Sequence, residues 1–461
     1  MNRFRKWNRP EVGPAWPVIL GLLWFALVFF MSYPTEGQKD EGREFGFSRL
    51  AEAAAMWAYA NDAWPEWALA IIDASDAKIA EEAVEVFDEA MEDGNIPSGA
   101  LPEWGTLFLI LGDEENAKEA LEAVDNSINV DSRQRRLVQR LLRENPAGEG
   151  LASWAEGRYE KGVSELPVWY FLLRSGHEEA DEIESWIVER GNRMLRRGMV
   201  ATATSGAVAT AAIMAWILFL KRRLVLPSMP ERRRFFRDWK FYRSMRTFFS
   251  AEVRTLALAF IGSIPLFAMG FYDAGLIYGG LAVQVLPVCF LVFSMTPGWD
   301  ATKRLFGLSR PDWRFRELFW FGLIGTGIVL MIGWALSQFG TLSDSINDVI
   351  SADYLDRPLP VIWIFIVAVI IAPFFEEVVI RGFLFSFLMT RFRPVPAAII
   401  SSAMFAFLHG YSLLGFVSTM SLGLVFSWLY WRSGSLWPGV FCHALFNLCV
   451  TTASVGWYSL H

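Results

Sequence analysis

The apolar run at residues 361–389 contains only three charged side chains, Glu376, Glu377 and Arg381. A run of this length is typical of a helix that crosses a membrane, because about 20 apolar residues in a helix span the hydrocarbon core. Each charged side chain at the centre of such a helix costs about 2.5–3.5 kcal/mol in insertion experiments. The chain must therefore fold so that other helices surround these side chains. Ionisable groups at this depth indicate a functional site.

Length and hydropathy predict an all-α, polytopic membrane protein. Of the 461 residues, 53% are hydrophobic, and a helix satisfies its backbone hydrogen bonds within one segment when it crosses lipid. The first predicted span is expected to be an uncleaved anchor, because no A-x-A cleavage site follows it. We predict about nine spans, at residues 15–33, 199–220, 255–272, 276–296, 318–338, 361–389, 395–410, 412–431 and 436–453.

Charge is distributed unevenly along the chain. Residues 34–197 contain 35 acidic and 17 basic residues, a net charge of −18, whereas the rest of the chain contains 14 acidic and 25 basic residues, a net charge of +11. Basic and acidic connecting segments alternate across consecutive spans, and basic loops lie in the cytoplasm. We therefore expect a multi-pass protein of the cell membrane with a cytoplasmic N-terminus and an extracytoplasmic acidic segment.

The acidic segment is predicted to be a helical domain. LILGDEENAKEAL and LLRSGHEEADEI each join a helix end, a glycine and an acidic turn to a new helix, which suggests a solenoid of the tetratricopeptide-like kind. Such a domain either binds a protein partner or is a structural cap. The predicted organisation is a basic N-terminus with the first anchor (1–33), the acidic helical domain (34–198), a second span with a basic cytoplasmic linker (199–254) and a polytopic membrane domain (255–461).

The basic linker and the cysteines limit the possible partners. The linker begins KRRLVLPSMPERRRFFRDWKFYRSMR, and a topogenic flank is sufficient to explain it. Binding of anionic lipid is the sharper alternative, and we expect no nucleic-acid partner. The three cysteines, Cys289, Cys442 and Cys449, all fall in apolar spans. They form no CxxC zinc motif.

In a helix, the two neighbouring glutamates point in different directions. Glu377 and Arg381 are four residues apart, so they can pair along one face. Glu376 is rotated by about 100° from Glu377 and faces another neighbour. Pro373 comes just before the pair and can loosen the helix there. A structural ion pair explains Glu377 and Arg381 but not Glu376, which is therefore the residue expected to carry chemistry.

Polar side chains of matching depth occur on two other predicted spans. His409 ends SSAMFAFLH, and His443 begins HALFN, which places Asn447 one turn along on the same helix face. At about 1.5 Å per residue, these groups and Glu376 fall in a middle slab of the bilayer. We predict that three helices form one buried polar pocket. Considered alone, each histidine could equally have a structural role, as a hydrogen-bond donor packed between two helices.

Such a pocket suits hydrolysis of an amide within the membrane. A glutamate and a histidine that share a water can remove its proton, and an asparagine and a second histidine can donate hydrogen bonds to the oxyanion. The chain contains no G-x-S-x-G elbow and no HExxH motif, which argues against a helix-borne zincin site. Two histidines and a glutamate can still bind Zn²⁺, so Glu376, His409 and His443 form an alternative metal site.

Three motifs in this order resemble the CPBP family of intramembrane proteases, which includes the CAAX prenyl endopeptidases of the Rce1 type and the self-immunity (Abi) proteins. The resemblance covers about residues 360–455. It implies that Glu376 is the general base assisted by His409, and that His443 and Asn447 polarise the scissile carbonyl or steady the oxyanion. It also implies that Glu377 and Arg381 hold the site together. The shared signature EExxxR, FxxxH and HxxxN lies here at Glu376 to Arg381, Phe405 to His409 and His443 to Asn447.

The resemblance implies an intramembrane endopeptidase that acts on a membrane-associated protein or peptide in the lipid bilayer. Members were first described as metalloproteases, and a metal-independent glutamate mechanism is favoured in the CAAX branch. The N-terminal extension is not part of the family core, so a CAAX substrate is not carried over.

Two other functions remain as alternatives. One is a non-catalytic membrane scaffold, such as an immunity or assembly factor, that acts through the acidic helical domain. The other is a proton or ion pathway built from Glu376, Glu377, His409 and His443. The pathway ranks last, because the sequence shows no inverted repeat.

Overall fold

The structure is a computed structural model. It describes residues 15–32, 100–126, 132–143, 166–176, 180–221, 241–269, 272–295, 315–337, 358–409 and 413–458, with short pieces between 51 and 88 and at 151, 153–156, 178 and 307–308. The basic N-terminus before residue 15, most of the basic linker and the acidic connection at 340–357 lie outside these residues.

The described residues form helices and contain no β-strand, so the predicted all-α fold of a polytopic membrane protein is confirmed. In chain order the helices are α1 (Ala15–Ser32), α2 (Leu101–Leu111), α3 (Glu114–Asn126), α4 (Ser132–Leu142), α5 (Leu166–Arg174), α6 (Ala180–Leu220), α7 (Phe241–Ala268), α8 (Tyr272–Met295), α9 (Phe315–Ser337), α10 (358–388), α11 (Pro394–Phe407), α12 (Leu413–Ser433) and α13 (Trp437–Tyr458).

The chain divides into two units. The membrane unit comprises Met1–Tyr33, Gly206–Asp348 and Ile362–Thr451, and the acidic unit comprises Pro34–Ser205, Val349–Val361 and Thr452–His461. The division falls inside α6, which also continues unbroken through the domain limit at residue 198. The limits proposed from sequence therefore stay predictions.

Within the acidic unit, α2 and α3 pack against each other. α2 ends at Gly112, whose φ of 80° is left-handed and whose N–H bonds to the carbonyl of Phe108. Glycine takes this conformation without a Cβ clash. A Cβ at Gly105 would lie 2.4 Å from the Leu121 side chain, so the two helices approach closely there. This hairpin lies at one of the helix–glycine–acidic turn patterns, whereas a repeated solenoid stays a prediction.

The membrane unit contains the long apolar helices. Each of the predicted spans falls on a described helix, and two shorter apolar stretches lie at Ile277–Val292 and Pro394–Phe407. The number of spans stays a prediction. Among the described residues, six helices are long and apolar enough to cross a membrane: Ala180–Leu220, Ser244–Leu266, Phe315–Leu336, Val361–Leu388, Leu413–Ser433 and Trp437–Val455.

Two helix pairs enclose α10. α7 packs on α8 as an antiparallel pair, with the Tyr278 hydroxyl 3.3 Å from the carbonyl of Leu258 and Arg254 over the Phe290 ring. α11 packs on α12, and α10 contacts α8, α11 and α12. Helices from both pairs therefore pack around the segment of α10 that carries the charged side chains.

Candidate functional site

The glutamate pair lies on a short α-helical segment between two π-helical ones. α10 is α-helical at Pro358–Phe365, π-helical at Ile366–Ile371, α-helical at Ala372–Glu377, π-helical at Val378–Phe385 and α-helical again at Ser386–Leu388. A π turn bonds residue i to i+5 and occurs mostly as a single turn, often at a functional site. Two such turns around one carboxylate pair indicate that helix geometry is adjusted here to aim the side chains.

Pro373 and Asn447 together explain the first π segment. The N–H of Ala372 bonds to the carbonyl of Val367, five residues back. In the same register the carbonyl of Ala368 would accept from residue 373, which is a proline without an N–H. The side-chain amide of Asn447 donates to that carbonyl instead, with Nδ2 2.8 Å from the oxygen. A shielded carbonyl without a partner is costly, so Asn447 stabilises the π-helical segment that precedes the glutamates.

Glu377 and Arg381 form a fully buried ion pair. Both side chains have an exposed fraction of 0%, and Nη1 of Arg381 lies 3.0 Å from Oε1 of Glu377. Nη2 of Arg381 donates to the carbonyl of Gly423 at 3.0 Å. The guanidinium carbon also lies 4.7 Å from the centre of the Phe405 ring and 5.1 Å from that of Phe426. The predicted pairing of these two residues is present, and the two rings add cation–π attraction.

Two glycines allow neighbouring helices to reach this ion pair. A Cβ at Gly423 would lie 2.8 Å from Cβ of Ser402 and 3.0 Å from Nη2 of Arg381. A Cβ at Gly439 would lie 3.0 Å from Oε2 of Glu377. The backbones of α12 and α13 therefore close the space around the pair, which keeps it dry.

His443 lies between the two glutamates. Its Nδ1 is 3.4 Å from Oε1 of Glu377, and its Nε2 is 3.7 Å from Oε2 of Glu376. Neither contact is a hydrogen bond, because Nδ1 has no hydrogen-bond partner among the described residues and the second distance is too long. The imidazole stacks on Phe426 with ring centres 4.8 Å apart, and the Phe405 ring meets it edge-on at 5.9 Å. These rings hold the imidazole facing both carboxylates.

The two oxygens of Glu376 have different surroundings. Oε1 accepts a hydrogen bond from Nε2 of Gln284 at 2.9 Å. Oε2 faces His443 and is buried without a hydrogen-bond partner among the described residues. The side chain is 18% exposed, whereas Glu377 is fully buried. Glu376 is therefore the more exposed carboxylate of the pair.

His409 borders the same group of rings. Its Nδ1 lies 2.8 Å from the carbonyl of Phe405, and since a carbonyl only accepts, Nδ1 carries the proton of this bond. Its ring meets Phe405 edge-on at 4.7 Å. Both histidines thus contact the Phe405 ring. His409 does so from the turn that follows α11, and His443 does so from α13. The roles expected for His409 as assistant base and for Asn447 at an oxyanion stay predictions.

Two residues that the motifs did not predict also contact the site residues. Gln284 on α8 contacts Glu376, and Phe426 on α12 contacts both Arg381 and His443. Gln284 is the only side-chain amide in the apolar stretch Ile277–Val292. An isolated amide in a membrane span needs a partner, and this was the signal that the sequence offered. Phe426 gave no signal, because aromatic residues are common in spans.

The three residues named as an alternative zinc site are not grouped as a metal site. Across the described residues, which include Glu376, His409 and His443, no three His, Cys, Asp or Glu side chains are grouped so as to hold a metal ion. The metalloprotease interpretation is therefore not supported, and a bound zinc ion stays a prediction.

Comparisons with known proteins find similarity over the part of the chain that carries the three motifs. Residues 358–449 match the family described as type II CAAX prenyl endopeptidase Rce1-like. The chain is 30% identical over 135 residues to "Putative membrane peptidase YdiL" of Bacillus subtilis (strain 168). This match covers 29% of the chain and 52% of that protein, so the chain spans about half the length of its curated relative.

No solved structure gives a significant match to the chain. The family match contains the glutamate pair, His409, His443 and Asn447, and it leaves out α8 and residues 34–205 of the acidic unit. The part of the chain that carries the predicted site residues is therefore similar to the Rce1-like family, and this similarity supports a membrane protease at the level of the family.

Proposed function

We propose that the chain is an intramembrane endopeptidase that hydrolyses a peptide bond of a membrane-associated protein or peptide. The observation that supports this most directly is the asymmetry of Glu376. One carboxylate oxygen is held by an amide, and the other is buried, faces an imidazole and has no hydrogen-bond partner among the described residues. A general base needs such an oxygen within reach of the proton that it removes.

In the proposed reaction, a water donates one hydrogen bond to Oε2 of Glu376 and lies near Nε2 of His443. The water oxygen attacks the scissile carbonyl carbon while its proton passes to Glu376. The resulting oxyanion is stabilised by N–H donors of the pocket, for which His443 or His409 is suitable. When the C–N bond breaks, Glu376 returns the proton to the leaving nitrogen. The products are a carboxylic acid and an amine, and Glu376 ends as it began.

The buried ion pair supports the assignment of Glu376, rather than Glu377, as the general base. Arg381 neutralises Glu377 at 3.0 Å, so Glu377 is unsuited to accept a proton from water. Glu376 has a neutral amide rather than a cation on its Oε1. No cation of the described residues is therefore paired with Glu376 at the distance at which Arg381 pairs with Glu377.

The proposal is tested in cells that produce the full chain. Membrane proteins are collected from cells with the wild type, Glu376→Gln, Glu376→Ala and Glu252→Gln, and their new N-termini are sequenced. Glu252 is a second buried carboxylate, located on α7, so it controls for the loss of a membrane carboxylate. We expect N-termini that occur with the wild type and Glu252→Gln and are absent with both Glu376 variants.

Two outcomes oppose the proposal. If the Glu376 variants produce the same N-termini as the wild type, hydrolysis does not depend on this carboxylate and the proposal is wrong. If no N-terminus depends on the chain, while deletion of residues 40–197 removes a cellular phenotype that Glu376→Ala leaves intact, a scaffold function acting through the acidic unit replaces it. A cleavage sequence found in this way also supplies a quenched fluorescent peptide for kinetics in proteoliposomes.

We further propose that the protein lies in the cell membrane with its N-terminus in the cytoplasm and its acidic unit outside, where a protein partner can reach it. The charge difference between residues 34–197 and the rest of the chain supports this orientation. A membrane-impermeant protease added to intact cells should digest the acidic unit of an epitope-tagged chain. If that unit is protected from digestion, the proposed orientation is wrong.

A further inference from the structure

We infer that Gln284 of α8 is a positioning residue for the Glu376 carboxylate, supplied by a helix outside the family-matched segment. This inference rests on the proposed function. Nε2 of Gln284 lies 2.9 Å from Oε1 of Glu376, across 92 residues of sequence. The match to the family begins at residue 358, so this contact adds a group from the preceding part of the chain.

The chemistry of the two groups fixes the direction of the hydrogen bond. An ionised carboxylate can only accept, so the amide NH₂ of Gln284 must face Oε1. A donor to a charged oxygen gives a stronger bond than one between neutral groups. The amide also needs this partner, because α8 is apolar around it and an unpaired amide in hydrocarbon is costly.

The bond has a geometric consequence for catalysis. The last torsion of a glutamate side chain is broad and roughly two-fold, so a free carboxylate rotates readily. With Oε1 held by Gln284, Oε2 stays directed at His443, whose Nε2 is 3.7 Å away. An anchored carboxylate loses less orientational freedom when the reaction begins, which lowers the barrier.

The choice of a neutral donor also matters. Arg381 binds Glu377 and cancels its charge. Glutamine holds Glu376 without cancelling its charge, which a base must keep. The α7–α8 pair is thus more than a lipid-facing extension: α8 contacts both the Ala372–Glu377 segment and the π-helical segment that follows it, and it carries the anchor of the base.

The test compares variants of the full chain in proteoliposomes, with the quenched peptide described above. Gln284→Leu keeps most of the side-chain volume and removes the donor. We expect kcat to fall about ten- to hundredfold, as for the loss of a hydrogen bond to a charged group, with KM changed less than about threefold. Gln284→His keeps an N–H donor and should restore most of the lost kcat.

Tyr278→Phe is the matched control. It removes another side-chain hydrogen bond of α8, the one from Tyr278 to the backbone of α7, and should leave kcat unchanged. The thermal midpoint of each variant is measured in parallel. A purely structural role would lower that midpoint and the yield of folded protein while leaving kcat per folded molecule intact.

The outcomes separate this inference from the function on which it rests. If Glu376→Gln abolishes cleavage and Gln284→Leu keeps full kcat, Gln284 is not a positioning residue and the endopeptidase proposal stands. If Gln284→His is as slow as Gln284→Leu, the donor is not what matters and the inference also fails. If Glu376→Gln itself remains active, the proposed function and this inference fall together.

Discussion

The buried pair formed by Glu377 and Arg381 allows a test in which a second substitution should stabilise a destabilised variant. Arg381→Met replaces the guanidinium with an apolar side chain and leaves the Glu377 carboxylate buried without its cation. Breaking a buried pair in this way costs about 3–5 kcal/mol. The carbonyl of Gly423, which accepts from Nη2 at 3.0 Å, also loses its donor, which adds about 1–3 kcal/mol.

The double variant Glu377→Gln/Arg381→Met should be more stable than Arg381→Met alone. It contains no unpaired buried charge, so the smaller costs of the Gly423 carbonyl and of an unpaired buried amide at position 377 remain. Glu377→Gln alone is expected to be the milder single change, because its amide oxygen can still accept from Nη1 and the two aromatic rings still hold the guanidinium. The net gain is about 2 kcal/mol, because the buried amide offsets part of the charge cost. At about 2–4 °C per kcal/mol, the melting temperature should rise by roughly 4–8 °C over Arg381→Met.

The cysteines provide an assay for the membrane unit alone. The chain has three cysteines, none of them in the acidic segment. Cys442 and Cys449 are buried and Cys289 is half-buried. In a Cys289→Ser background, a dye that fluoresces on reaction with thiols therefore reports unfolding around α13 as the purified protein is heated in detergent.

The same thiol assay measures the melting temperature of a control variant and can refute the prediction. Arg316→Met removes an exposed arginine of α9 and should change the melting temperature by less than about 2 °C, as expected for a surface substitution. If Arg381→Met melts as the wild type does, or if the double variant melts below the Arg381→Met variant, the reasoning from a buried charge is refuted.

Three further results are expected. Gly423→Ala should destabilise the membrane unit by about 1–3 kcal/mol through overpacking, whereas Gly333→Ala, which has no atom within 4 Å of the added Cβ, should be neutral in the thiol assay. Asn447→Leu should cost about 1–3 kcal/mol, because the Ala368 carbonyl loses its donor; equal stability in the same assay would contradict this. In the acidic unit, burial and nearby acidic groups raise the pKa of Tyr59 from 10.0 to about 12, so the stability of this unit should fall between pH 10 and 12, and circular dichroism should show a smaller fall in Tyr59→Phe.

Local features of the site could be predicted from the sequence. Glu377 and Arg381 are four residues apart, and this spacing makes neighbours in almost any helix. The positions of the predicted spans depend on hydropathy alone, and each lies on a described helix. The order of the EExxxR, FxxxH and HxxxN motifs is a linear property, so the family could be identified without coordinates.

Features that depend on how helices rotate against each other could not be predicted. His443 contacts both glutamates because Phe426 and Phe405 hold its ring, and no spacing in the sequence specifies this. The bond from Asn447 to Ala368 requires a helical register of five residues next to Pro373. Depth estimates at 1.5 Å per residue placed these groups in one slab, but depth says nothing about direction around a helix axis.

The two π turns of α10 separate the lipid-facing pattern of this helix from the direction of its carboxylates. A turn that accommodates one extra residue rotates everything beyond it by roughly 100° relative to an unbroken α-helix. The Ala372–Glu377 segment has such a turn on each side, so its angular phase is set independently of both flanks. Deletion of one residue from either turn would leave a span of nearly the same length and hydropathy that still inserts into a membrane. Its carboxylates, however, would point to the wrong neighbours, so hydropathy alone would not reveal the loss of the site.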